Sequence, residues 1–126
     1  MKSIENGILD TKCLETVIQT MAEGLMIIDT GNTIVFCNKA FPDLVGFGSD
    51  QLIGKQCRDI MECGPKGKGM CSLFAQGEVN GLECTVRHRS GRLVPVKKNS
   101  RLLHDAQGNL IGAVETLSDI SKLKVM

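Results

Sequence analysis

The stretch RHRSGRLVPVKKNSRLLHDAQGNLIGAVETLSDIS, Arg87–Ser121, decides the fold class. A β-rich run from Leu82 to His88 leads into it and breaks at Ser90-Gly91. Leu93 to Leu103 follows, then a turn over Asp105 to Asn109, then Leu110 to Ser118. Branched and apolar runs separated by short Gly, Asn and Asp turns are strands joined by hairpins. Three in succession make an antiparallel meander. Proline cannot donate to a sheet ladder, so Pro95 predicts a bulge or a free N–H in the middle strand.

Upstream of the meander, Leu25 to Asp29, the turn Thr30-Gly31-Asn32 and Thr33 to Cys37 read as a further hairpin. Before it, Asp10 caps a helix whose Leu14, Val17, Ile18 and Met21 fall on one stripe, with Cys13 beside them. Gly24 is expected to close that helix as a C′ glycine. The stripe must pack on the chain's own sheet or on a partner copy.

Between hairpin and meander lie short helices. Asn38 caps one with Ala40, Phe41 and Leu44, where Pro42 is tolerated in the first turn. Ser49 starts another with Leu52 and Ile53, ended by Gly54. Cys57 to Cys63 and Met70 to Gln76 are predicted as two more, around a Gly64–Gly69 loop. The order is helix, two strands, short helices, three long strands. That is an α+β fold with a five-stranded antiparallel sheet, and it excludes the βαβ pattern of a dinucleotide-binding fold.

Composition narrows the function. A chain of 126 residues suits one domain, and 42% hydrophobic content suffices for a core. Four Phe with no Trp or Tyr leave that core to Leu, Ile, Val and Met. The lack of aromatic platforms argues against base stacking, and a net charge of +1 with interspersed signs leaves no footprint for nucleic acid. The basic stretch Arg87 to Lys98 reads as a solvated strand face. No apolar run approaches the roughly 20 residues that span a bilayer, and no cleavable leader opens the chain. A cytoplasmic location without membrane contact is expected. Six cysteines there point to free thiols, metal or redox chemistry rather than a disulfide framework.

The chain resembles the PAS sensory domain from about Met21 to Lys124. EGLMIIDTGNTIVFCNKAF (Glu23–Phe41) is similar to the opening hairpin and helix start. LIGKQC (Leu52–Cys57) is similar to the Ile-Gly-Lys step, and Arg87–Ser121 to the three closing strands. Asp119-Ile120-Ser121 is similar to the Asp-Ile-Thr sequence that ends many such domains. The finer resemblance is to PAS domains of bacterial enhancer-binding transcription activators and sensor histidine kinases. It implies an N-terminal dimer or linker helix over residues 1–22, a PAS domain over 23–121, and the start of a linker to an effector over 122–126. It also implies a homodimer, a place within a longer chain, and signal output through Asp119, Ile120 and Ser121. The effector would be a histidine kinase or an ATPase-type transcription activator.

Cys57, Cys63, Cys71 and Cys84 are the sharpest chemical feature. Five, seven and twelve residues separate neighbours, so no tight C-x-x-C pair is present. Cys84 alternates with Leu82 and Val86 and is expected on the apolar strand face. Convergence of the four thiols would hold an iron–sulfur cluster or zinc, with Lys66 and Lys68 lowering thiolate pKa. Buried free cysteines and a reversible disulfide are the alternatives. Cys13 and Cys37 read as core. Flavin photochemistry is not expected: only Cys57 and Arg58 of GKQCRDIM match the light-sensing stretch Asn-Cys-Arg-Phe-Leu-Gln, and Asp59 is charged. Haem is not expected because no His lies between Lys39 and Gln76, and His88 and His104 fall at strand ends. Met70 replaces the lysine a phosphate loop requires. Glu115 is expected to face outward in a surface salt bridge. An inward Glu115 would need Lys97 or Lys98 as partner.

Three functions follow. One is a sensor domain that reads redox state or metal through the cysteines. A second is a cofactor-free homodimerisation module built on the Leu14, Val17, Ile18 and Met21 stripe. A thiol-redox enzyme ranks last, since no catalytic signature is present.

Overall fold

The structure is a computed structural model that describes residues 10–62 and 77–121. Helix α1 (Thr11–Thr20) precedes strands β1 (Gly24–Ile28) and β2 (Ile34–Cys37). Helices α2 (Ala40–Val45) and α3 (Ser49–Leu52) and a 3₁₀ turn (Cys57–Asp59) follow. Strands β3 (Met61–Glu62), β4 (Val79–Arg87), β5 (Leu93–His104) and β6 (Leu110–Asp119) complete it.

The sheet order is β2-β1-β6-β5-β4-β3, and every pairing is antiparallel. The five expected strands are all present, and the short edge strand β3 is added. β3 arises where a helix over Cys57 to Cys63 was expected. Only the 3₁₀ turn forms, and Met61 and Glu62 then pair with Val86 and Thr85. The expected helix from Met70 to Gln76 lies outside the described residues, as do Cys63 and Cys71.

Asp10 caps α1 through Oδ1, which accepts the Cys13 N–H at 2.8 Å. The helix ends at Thr20, so Gly24 is not its C′ residue. Gly24 instead opens β1, for a packing reason. A Cβ there would stand 3.2 Å from Phe41 Cδ1 and 3.3 Å from Phe41 Cα. Asp29 closes the first hairpin by accepting the N–H groups of Gly31 and Thr33 on Oδ1. Pro95 is placed without loss. Its carbonyl takes the Ile120 N–H just past the last β5–β6 pair, so its missing donor falls beyond the ladder.

Strand parity sorts the sheet into two faces. The inner face carries Met26, Ile28, Ile34, Val86, Val94, Val96, Ala113 and Leu117, all buried. Phe41, Val45 and Leu52 from the short helices pack onto it with Cys57, Ile60 and Met61. Helix α1 has no buried residue. It lies on the other face, where Leu14 and Ile18 border a groove of about 310 Å³ with Ile27 and Phe36.

Candidate functional site

The inner face is apolar except at its centre. Alternation from Val94 and Val96 carries Lys98 and Ser100 of β5 to the same side. Glu115 of β6 sits between Met26 of β1 and Ser100 of β5. All three polar side chains are buried, at 1%, 1% and 0% exposure for Lys98, Ser100 and Glu115. Lys98 Nζ lies 3.4 Å from Glu115 Oε1. That contact is an ion pair rather than a hydrogen bond, being longer than charge-assisted N–H···O geometry. Among the described residues, neither Glu115 oxygen nor Ser100 Oγ makes a hydrogen bond.

This overturns the expectation of an outward Glu115. Parity with Ala113 and Leu117 turns it inward, and Lys98 rather than the exposed Lys97 is its partner. The parity signal was present in the sequence. The surface reading followed the general cost of burying a charge, which the matching inward lysine offsets in part. Burial pushes the Glu115 carboxyl above its ordinary range, and the Lys98 charge opposes that rise.

Of the cysteines, Cys57 is buried in the 3₁₀ turn and its N–H donates to Asn32 O at 2.8 Å. Cys84 is half-buried on the inner face, opposite Val96, as its alternation predicts. Among the described residues no group of three or more metal-ligating side chains converges. The expected cluster includes Cys63 and Cys71 and so lies in part outside them. Cys37 is buried in the core, and burial raises its thiol pKa.

The expected output residues form a turn. Asp119 Oδ1 accepts the Ser121 N–H at 2.8 Å and the Ser121 hydroxyl at 2.6 Å. Ile120 is buried between them. One residue earlier, Ser118 Oγ donates to Glu23 Oε2, linking β6 to the start of β1.

Of the expected dimer stripe, Leu14 and Val17 are exposed while Ile18 and Met21 are half-buried. Asn38 ties this helix down. Its Nδ2 donates to the carbonyls of Ile18 and Glu23, and its Oδ1 accepts from Leu25 and Phe41. The sequence showed Asn38 only as a helix cap. His88 is engaged with Ser90 in the β4–β5 turn, and His104 is exposed at the end of β5.

A family model described as PAS domain matches residues 22–122. No curated protein matches the chain. Among solved structures, the PAS domain of a protein from Colwellia psychrerythraea is 19% identical, with a TM-score of 0.75. The alignment covers 88% of this chain and 97% of that one. A PAS domain from a two-component sensor histidine kinase is 16% identical, with a TM-score of 0.69, covering 88% and 96%. An RNA-binding Light-Oxygen-Voltage receptor is 17% identical, with a TM-score of 0.80, covering 96% of this chain and 36% of that one. At these identities the likeness is one of fold.

Proposed function

The chain belongs to the PAS domain family, and from that membership we propose that it is the signal-input domain of a bacterial histidine kinase or ATPase-type transcription activator. PAS domains are sensory modules that commonly sit in multidomain proteins and often dimerise. The observation that carries the reading is a buried charge on the strand that leaves the domain. β6 lies between β1 and β5, holds Glu115 inward, and runs straight into the Asp119 turn. A change around Glu115 that favours one of two arrangements of β6 then acts directly on the exit through Asp119, Ile120 and Ser121. In a kinase carrying this chain as its input domain, Asp119→Ala alters autophosphorylation. Activity unchanged after deleting the whole chain sinks the assignment.

We assign the stimulus to redox state or metal at Cys57, Cys63, Cys71 and Cys84. Two observations support this. Cys57 and Cys84 both belong to the inner side of the sheet. Glu62, which Cys63 follows in sequence, pairs with Thr85, which follows Cys84. Chain purified without oxygen is expected to carry near-stoichiometric iron and sulfide, or zinc. Colourless, metal-free protein whose cysteines all titrate freely overturns the metal reading.

The second reading is a cofactor-free homodimerisation module. The exposed Leu14 and Val17 of α1 favour it. Sedimentation equilibrium of metal-free chain tests it: a monomer sinks the dimerisation module.

A further inference from the structure

Strand β4 carries a bulge near its start. Val79 pairs with Ser100 and Leu82 with Lys98, so Asn80 and Gly81 together face Asn99 and stand outside the ladder. Gly81 has a φ of +63, which glycine adopts without strain. Both residues are exposed. Side chains hold them in place. The Gly81 N–H donates to Asn99 Oδ1 at 2.8 Å, and Arg101 Nη2 donates to Asn80 Oδ1 at 2.8 Å. Exposed hydrogen bonds of this kind open far more readily than a buried ladder.

The side-chain amide carbon of asparagine is an electrophile, and the backbone nitrogen of the next residue lies close to it along the chain. A glycine there leaves that approach unobstructed, because it has no Cβ. Asn80-Gly81 is the one Asn-Gly pair among the described residues. Asn32, Asn38, Asn99 and Asn109 are followed by Thr33, Lys39, Ser100 and Leu110.

We propose that Asn80 is a self-modification site, converted to aspartate and isoaspartate. When the Asn99 contact opens, the Gly81 nitrogen gives up its proton and bonds to Asn80 Cγ. The bond from Cγ to the side-chain nitrogen breaks, and that nitrogen takes the proton and leaves as ammonia. Water then opens the cyclic imide. Attack at Cγ gives aspartate, and attack at the backbone carbonyl carbon gives isoaspartate. No electrons change hands. Asn99 sets the rate, since its Oδ1 holds the attacking N–H in place.

The surroundings accept the product. Arg101 Nε already contacts Glu78 Oε1 at 2.9 Å. A carboxylate at residue 80 turns the Nη2 contact into a charge-assisted hydrogen bond on the same fork. The modification therefore adds a negative charge at the start of β4 without opening the sheet. Isoaspartate lengthens the backbone at a bulge that already holds surplus chain.

The test incubates the full chain at mildly alkaline pH and follows it by peptide mapping with mass spectrometry, separating aspartate from isoaspartate. Residue 80 is expected to convert ahead of every other described asparagine and to yield both products. Asn99→Ala frees the Gly81 N–H and speeds conversion severalfold. Gly81→Ala suppresses it. A Cβ on Gly81 meets only Lys97 Cδ at 3.8 Å, so that variant strains φ alone. Asn80→Asp, which mimics one product, unfolds at the temperature of the parent. Intact residue 80 in both the parent and Asn99→Ala chains overturns the proposal. So does earlier conversion of Asn32, Asn99 or Asn109, or an unchanged rate in Gly81→Ala. An unchanged rate in Asn99→Ala overturns the control assigned to Asn99. Should Gly81→Ala not fold, Asn99→Ala decides, since it removes only a side-chain amide.

Discussion

Glu115 and Lys98 are the residues whose energetics set this domain apart. Glu115→Ala removes the carboxylate that faces the buried Lys98 ammonium and is expected to cost about 3–5 kcal/mol in denaturant unfolding. Replacing both, as Lys98→Met with Glu115→Leu, is expected to be neutral or to stabilise by about 1–4 kcal/mol, because two desolvation costs vanish together. The pH dependence has a definite sign. The folded Glu115 carboxyl lies above its ordinary value of 4.5, so the folded chain binds more protons than the unfolded one. Its contribution to stability is therefore full below 4.5, is lost as pH rises through the folded value, and is flat above it. Unfolding measured across that window should show this loss in the parent chain and not in the double variant. A parallel slope in both would contradict the assignment. Strand alternation made the inward direction of these residues legible. It narrowed the partner of an inward Glu115 to Lys97 or Lys98, and the choice of Lys98 needed the cross-strand register, which depends on turns and bulges far along the chain.

Among elements, α1 and β6 are constrained in opposite ways. Nothing in α1 is buried, and its attachment runs through Asn38 and through Gln19 Oε1, which accepts the Lys39 N–H. Asn38→Ala orphans backbone groups of Ile18, Glu23, Leu25 and Phe41 together, at an expected cost of about 2–3 kcal/mol. Hydrogen exchange should quicken first in α1. Asn38→Asp should be no milder, since a carboxylate oxygen would replace the donor facing two carbonyls. β6 is pinned by close approach instead. A Cβ on Gly112 would lie 2.2 Å from Ile28 O, a backbone atom that cannot move without opening the β1–β6 pairing. Gly112→Ala is expected to cost at least about 3 kcal/mol. Gly91→Ala meets open space and should cost only about 1 kcal/mol, for its φ of +94. Thermal unfolding of the two variants checks the contrast.

At the scale of the molecule, the sheet divides into a packed inner face and an outer face on which α1 leaves apolar side chains in contact with solvent. Val17 is 54% exposed, so Val17→Glu should leave thermal stability within about 0.5 kcal/mol while shifting a dimer toward monomer in sedimentation. Loss of stability with no change in association would place Val17 in the fold instead. The sequence alone determined the α+β class, five of the six strands, the Asp10 cap, the Asp105 to Asn109 turn, and the inward direction of Cys84. These rest on local chemistry: turn residues, side-chain alternation and capping, all read within a few neighbours. Tertiary structure alone decided that Gly24 begins a strand, because Phe41 packs against it. It decided that the segment after Cys57 yields an edge strand, because β4 offers a free ladder there. It also joined Lys98, Ser100 and Glu115 into one buried group, since the energy of a buried charge depends on which strand lies beside it.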